Sequence, residues 1–188
     1  MARSKQYDEK EVIEKAMGVF WRHGYSGTSV RMLEKEMGIN QFSIYASFKN
    51  KRGVLRESLR SYRAKVERLV DKLESSPEGM NAIRVYFYDF LDFAAAHQQT
   101  NGCLLHNTLG ELSREADLAI QAEITPFVDH LRRVLKDKLS DAKPQADEGT
   151  LERWVNYLLV ALQGLTAGSK VFDRTQLNDY IEVTFEKL

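Results

Sequence analysis

An all-α protein is what this sequence predicts, and three observations carry that prediction. Apolar residues recur at helical spacing along almost the whole chain. No alternating run of strand length interrupts them. Breaks containing glycine, asparagine or proline divide the chain into about nine helical segments. With 188 residues, 43% of them hydrophobic, the chain is long enough to bury a substantial core.

Val12, Ile13, Ala16, Met17 and Phe20 lie on one face of a first helix that stops at Gly24, where a left-handed residue carries no Cβ penalty. Thr28 or Ser29 caps a second helix carrying Val30, Leu33 and Met37 and ending at Gly38. Asn40 caps a short third helix with Ile44 and Phe48 on one side. A long fourth segment, Lys51 to Glu74, carries Leu55, Leu59, Tyr62, Val66, Leu69, Val70 and Leu73, and the run from Ser75 to Gly79 breaks it. A fifth, Met80 to His97, holds Tyr86, Phe87, Tyr88, Phe90 and Phe93, which cover most of its circumference and imply a helix surrounded by others. Thr100-Asn101-Gly102 ends it, and a shorter sixth helix runs from Cys103 to about Ser113.

A seventh helix starts at Leu118 or after Pro126 and ends at Leu139, followed by a polar loop from Ser140 to Gly149. In the eighth segment, Thr150 to Phe172, the residues Leu151, Trp154, Val155, Leu162 and Leu165 fall within about 60° of Leu158 on a helical wheel. Tyr157, Ala161, Gly164 and Gly168 occupy the adjoining sector. So wide an apolar and small-residue arc exceeds one core contact and offers a second surface, for which a second copy of the chain is the expected occupant. A ninth helix, Thr175 to Leu188, adds Tyr180 to that surface, with Leu177, Ile181 and Phe185 beside it. The alternative is a helix that is simply central in a monomer.

Composition excludes several classes. A single cysteine cannot form an internal disulfide, which points to a reducing cytoplasm rather than a stapled secreted scaffold. Neither a signal peptide nor a membrane span is expected, because no apolar core follows the charged N-terminus and no apolar run reaches about 18 residues. The 27 basic and 27 acidic residues cancel, but only globally. Residues 1–60 hold 12 Lys and Arg against 7 Asp and Glu, a net of +5, while residues 61–188 hold 15 against 20, a net of −5. A basic third suits a polyanion, and the acidic remainder would be repelled from it.

Helices two and three are joined by Met37-Gly38-Ile39-Asn40, the tight turn of a helix-turn-helix. With Ile44 and Phe48 inward, Phe42 and Ala46 face out, with Ser43 and Tyr45 on the flanks. Phe42 and Tyr45 have no core to fill, and the Gln41 amide suits an adenine edge. Lys49, Lys51 and Arg52 follow beside the start of helix four, where cations and backbone amides hold phosphates. The alternative at this point is an ordinary three-helix bundle with a solvated basic face.

Residues 8–60 resemble the DNA-binding domain of the TetR/AcrR family of bacterial transcriptional regulators. The pattern runs through Ala16, Phe20, Gly24-Tyr25, Thr28-Ser29-Val30-Arg31, Gly38-Ile39-Asn40, Ile44-Tyr45, Phe48-Lys49-Asn50-Lys51 and Leu55. Gly102-Cys103-Leu104-Leu105, Asn107-Thr108, Glu111-Leu112 and Leu162-Gln163-Gly164-Leu165 are similar to one branch of the family's C-terminal domains. The resemblance implies a DNA-binding head over residues 6–66 and a ligand-binding and dimerisation body over residues 67–188. It further implies that Ser29 and Arg31 hold the DNA backbone, that Gln41, Phe42 and Ser43 face bases, that Tyr45 and Lys51 hold phosphates, and that Ser47 and Lys49 complete the surface. The family commonly has a small residue where Phe42 stands and an aromatic or histidine at Ala46 and Ser47, so the base-reading surface here is altered.

In the resemblance, a small effector enters among helices four to eight and shifts helix four, lowering the operator affinity of a homodimer. Tyr62, Val66, Phe87, Phe90, Leu91, Cys103, His106, Asn107, Leu159 and Gln163 are the candidate pocket residues, and the aromatic fifth helix favours an apolar or aromatic effector. Cys103 at a helix N-terminus suggests a stabilised thiolate and hence a redox or electrophile sensor, against the alternative of a small packing residue. His97, Cys103 and His106 form a three-ligand run that suits a metal poorly. No cofactor is expected. The histidines at 23, 97, 106 and 130 lack a nucleophile or carboxylate at motif spacing and no glycine loop cradles phosphate, which argues against an enzyme. The rival to a cytoplasmic, nucleoid-associated repressor is a helical enzyme or scaffold that has lost DNA binding.

Overall fold

A computed structural model describes residues 7–96, 102–112, 118–186 and 188. Among these residues the structure is entirely helical: α1 (Glu9–Gly27), α2 (Val30–Met37), α3 (Gln41–Phe48), α4 (Lys51–Ser75), α5 (Gly79–Ala96), α6 (Leu104–Glu111), α7 (Leu118–Ala142), α8 (Glu148–Gly168) and α9 (Arg174–Glu186). Asp8, Ser29, Asn40, Asn50 and Asp147 each accept a backbone N–H at the helix they cap.

Three departures from the sequence expectations have local causes. Gly24 breaks α1 at φ 68° and ψ 177°, but a further turn resumes to Gly27. α7 passes through Pro126, whose ring lies on the exposed side, while Ile120 and Ile124 before it and Phe127 and Leu131 after it stay buried on one continuous stripe. The loop expected from Ser140 to Gly149 shrinks to residues 143–147, because Asp147 caps α8 early.

The head is α1–α3 packed on the first turns of α4, around Ala16, Phe20, Leu33, Met37, Ile44, Phe48, Leu55 and Leu59. Gly38 takes the left-handed conformation, φ 70° and ψ 22°, that turns α2 into α3. Gly53 lies so close to the Phe48 carbonyl that a Cβ there would sit 1.8 Å from the oxygen, so α3 and α4 meet only across a glycine. The expected boundary at 66/67 falls inside α4, a single helix shared by head and body.

Ion pairs bind the two parts along α4. Glu14 of α1 accepts from Ser61 and Lys65. Burial opposes its ionisation, but those two partners outweigh burial and hold the carboxyl below its ordinary range. Arg60 donates to the buried Glu123 of α7, with contacts of 2.6 and 2.9 Å. In the body, α4, α5 and α7 form the centre, α6 lies against α1 and α4, and α8 and α9 close the far side.

Candidate functional site

The short α3 buries Ile44 and Phe48 completely or nearly so and turns its other face outward. Phe42 is 82% exposed, the most exposed large apolar side chain among the described residues. Tyr45, Gln41 and Ala46 share that face. The helix is held in place from behind: the Gln41 backbone N–H donates to Glu34 of α2 at 2.5 Å, and the Gln41 side-chain amide donates to the Tyr45 hydroxyl at 3.0 Å. Ser43 is half-buried, and Ser47 is engaged by the Tyr7 hydroxyl at 2.6 Å. Tyr7, which sequence reasoning did not single out, also donates to the Ser43 carbonyl at 3.4 Å, pinning α3 from the segment before α1.

Ser29 caps α2, and Arg31 projects beside it, exposed. Lys49 is exposed at the α3–α4 corner in a left-handed conformation, φ 69°. Lys51, expected to hold a phosphate, is turned toward the end of α1. Its ammonium donates to the carbonyls of Tyr25 at 2.9 Å and Thr28 at 2.8 Å, and lies 4.2 Å from the centre of the Tyr25 ring. The carbonyl-rich end of α1 attracts the charge inward.

In the body, Tyr62, Val66, Phe87, Phe90, Leu91 and Cys103 are all buried in the continuous core, on α4, α5 and at the start of α6. The other four candidates are less buried. His106 and Asn107 line a cleft of about 420 Å³ between α1, α6 and the end of α8, together with Trp21, Arg22 and Lys170. Gln163 is exposed and Leu159 half-buried on α8, so Gln163 points to solvent rather than to the core. His106 is pulled below the ordinary histidine value by burial and then by Lys170.

Cys103 is the N-cap of α6, yet its thiol is pushed up, not down. Burial outweighs the backbone amides of His106 and Leu105 and the Tyr62 hydroxyl, which favour the thiolate. The expected dipole-activated thiolate is therefore overturned by desolvation. His97 lies outside the described residues, and among those described no group of three or more His, Cys, Asp and Glu side chains is placed to hold a metal. His130, which has no carboxylate at motif spacing in the sequence, meets two across the fold on α4: Glu67 at 2.9 Å and Glu74 at 3.4 Å. No helix among the described residues is long and apolar enough to cross a membrane.

The outer face of α8 and α9 carries exposed Tyr157, Val160, Tyr180 and Val183, with Val171 and Phe172 just beyond α8. Val160, not singled out from the sequence, is 67% exposed. Ala161 is buried, which corrects its expected place on this surface. The Tyr180 hydroxyl covers it, donating to its carbonyl at 3.0 Å. Gly164 likewise admits Tyr180, whose hydroxyl would lie 2.9 Å from a Cβ there, and Gly168 admits Phe172 and Leu177. The close approach that these small residues permit is made within the same chain, by Tyr180 and Leu177 of α9 and by Phe172 just before it.

A helix-turn-helix with an outward aromatic reading face, on a helical body, is thus in place. Residues 12–57 match the family described as bacterial regulatory proteins, tetR family. The head of the chain thus carries the DNA-binding domain that this family model describes. It is similar to the uncharacterized HTH-type transcriptional regulator YezE of Bacillus subtilis (strain 168), at 23% identity over 100% of both chains. It is 32% identical to the HTH-type transcriptional repressor ComR of Escherichia coli (strain K12), over 61% of this chain and 55% of that one. A cysteine mutant of the TetR-family regulator CifR, solved with a 26-base-pair operator, superposes with a TM-score of 0.85 and 25% identity over 98% of each chain. The family match in the head, the full-length relative and the operator-bound neighbour support a DNA-binding transcriptional regulator rather than an enzyme.

Proposed function

We propose that the chain acts as a homodimeric repressor, released from its operator by a small molecule bound in the body. The observation that carries this is α3: its apolar face anchors it to the head, while Gln41, Phe42 and Tyr45 stand clear of the protein on a helix short enough to lie in a major groove. CifR, similar over nearly the whole length, is a TetR-family regulator captured on its operator.

Gln41, Phe42 and Ser43 face bases, and Ser29, Arg31, Tyr45 and Lys49 hold the backbone. Ser47 positions α3 through Tyr7. The functional division at 66/67 separates a head that reads DNA from a body that responds. The exposed apolar side chains of α8 and α9, with Tyr157 and Tyr180 among them, meet the same face of a second copy and set the separation of the two heads. The effector site is the cluster of Tyr62, Val66, Phe87, Phe90 and Leu91 around α4, because displacing this shared helix moves the head. Such a regulator works in the bacterial cytoplasm on the nucleoid.

Titration of the DNA flanking the protein's own gene tests this. Binding that survives excess competitor DNA and falls steeply with salt is expected. Binding that competitor DNA abolishes would remove the repressor reading.

A further inference from the structure

Glu111, the last residue of α6, reaches from the body to the corner of the head where α1 turns into α2. A carboxylate at a helix C-terminus faces the negative end of the helix dipole, a poor place for it unless something else holds it. Here its Oε2 accepts the backbone N–H of Ser26 at 2.9 Å, across 85 positions of sequence. The same carboxylate lies over Gly24, in the space a side chain would fill: a Cβ there would be 2.2 Å from Oε1 and 2.8 Å from the carboxyl carbon. Gly24 is non-helical, at φ 68° and ψ 177°. It interrupts the ladder of i to i−4 bonds that would otherwise hold the Ser26 amide, and Glu111 supplies the acceptor instead.

The residues that follow carry the contacts to DNA. Thr28, 2% exposed, closes the corner by donating from its hydroxyl to the Gly24 carbonyl at 2.6 Å. Ser29, next to it, caps α2 beside Arg31. α6 is therefore fastened to α1 twice. At its start the Gly102 carbonyl accepts from Trp21 at 2.9 Å, and at its end Glu111 accepts from Ser26. The eight residues of α6, about 12 Å of helix, separate the two fastenings. Since α6 also packs on α4, a shift of α6 within the body is carried to the corner.

We infer that Glu111 is a positioning residue for DNA binding: by holding the Ser26 amide it fixes the α1–α2 corner, and with it the grip of Ser29 and Arg31 on the DNA backbone, in a place set by α6. The inference rests on the DNA-binding reading proposed above and names a contact through which the body sets the head. Electrostatics alone gives the opposite sign, because a carboxylate repels phosphates and its removal would strengthen DNA binding. The two effects are thus separable.

Operator affinity is measured at one salt concentration for the parent, Glu111→Ala and Glu111→Gln, and backbone hydrogen exchange is followed in each free protein. Glu111 is exposed, so both variants are expected to fold, which thermal melts check. Glu111→Ala is expected to bind the operator about fivefold or more weakly, since each half of the dimer loses its hydrogen bond. Its amides from 26 to 32 exchange faster, while those of α4 and α5 exchange as in the parent. Glu111→Gln loses the charge but keeps an oxygen acceptor, and is expected to bind within about twofold of the parent or more tightly. Tighter operator binding by both variants overturns the inference. So does a Glu111→Ala protein that matches the parent in affinity and corner exchange, or a Glu111→Gln protein as impaired as Glu111→Ala. A parent with no specific operator affinity sinks the DNA-binding reading instead, and exchange at the corner then decides whether Glu111 holds it.

Discussion

The indole N–H of Trp21 donates to the backbone carbonyl of Gly102 across 2.9 Å, tying the first helix of the head to the residue that precedes the α6 cap, 81 positions later. This buried bond and the Trp21–Tyr62 ring contact place one α1 residue against both the shared helix α4 and the segment that leads into α6. Trp21→Phe keeps a six-membered ring but deletes the indole N–H together with the pyrrole part of the side chain. Leaving the Gly102 carbonyl unpaired in a buried setting is expected to destabilise the protein by about 1–3 kcal/mol. Thermal melts measure the loss, and operator titrations with effector are expected to give a smaller allosteric ratio than the parent protein.

Lys49 and Lys51 are two residues apart and do different work. Lys51 is committed to the carbonyls of Tyr25 and Thr28, whereas Lys49 is exposed on the corner next to α3. Lys51→Met is therefore expected to lower Tm, with the salt dependence of DNA binding unchanged. Lys49→Met is expected to leave Tm alone and to reduce the slope of log affinity against log salt by about 1.8, the value of one phosphate contact from each half of the dimer. The converse pattern would return Lys51 to the phosphate-binding set.

Phe42 brings an exposed ring with no hydrogen-bonding atom to the reading face. In a major groove the matching apolar feature is the thymine methyl group. Replacing thymines by deoxyuridine one at a time in the operator should identify one position per half-site where losing the methyl costs about fourfold in affinity, the worth of one buried carbon. The same replacement should cost nothing further in Phe42→Ala. If no position distinguishes the two proteins, Phe42 does not read a methyl.

Val160 is largely exposed on α8, so replacing it should hardly affect a monomer. At the centre of a dimer face, an added carboxylate would be buried without a partner. Val160→Glu is expected to sediment as a monomer at concentrations where the parent is a dimer, and to lose operator affinity with it. An unchanged dimer would move the interface off α8.

Helix number and the head's buried face were legible because both are written in periodicity and caps: Val12, Ala16 and Phe20 on α1, Asn40 before α3. What was illegible depends on where a flexible or small side chain is directed in space. Lys51 reads as a surface cation until the end of α1 is seen to lie beneath it. Gly164 reads as a site of close approach, and it is one, but only the fold reveals that Tyr180 of the same chain makes the approach. Cys103 occupies a helix start that by itself favours a thiolate, and burial, which no spacing rule records, reverses the shift. Tyr86 was visible as one aromatic among five on α5, while its unsatisfied hydroxyl was not.

His130 supplies a pH dependence that the sequence did not suggest. Its two ring nitrogens face Glu67 and Glu74 on α4, and Arg133, next on α7 but two, also binds Glu74 at 2.7 Å while reaching Asp137 at 3.2 Å. The hydrogen bond to Glu67 does most to raise His130 above the ordinary histidine value; burial works against it, and Glu74 adds to the rise. A folded-state value above the unfolded one means that folding favours the protonated ring. Its stabilising contribution is therefore complete below the unfolded value of about 6.5 and disappears as pH climbs through the raised folded value. Because the contact joins α7 to the helix shared with the head, its loss loosens α4 from the body. Tm measured from pH 6 to pH 8 should fall more in the parent than in His130→Gln, which holds no titrating ring, and the two should converge at the alkaline end. Parallel curves would mean that His130 is not the group responsible.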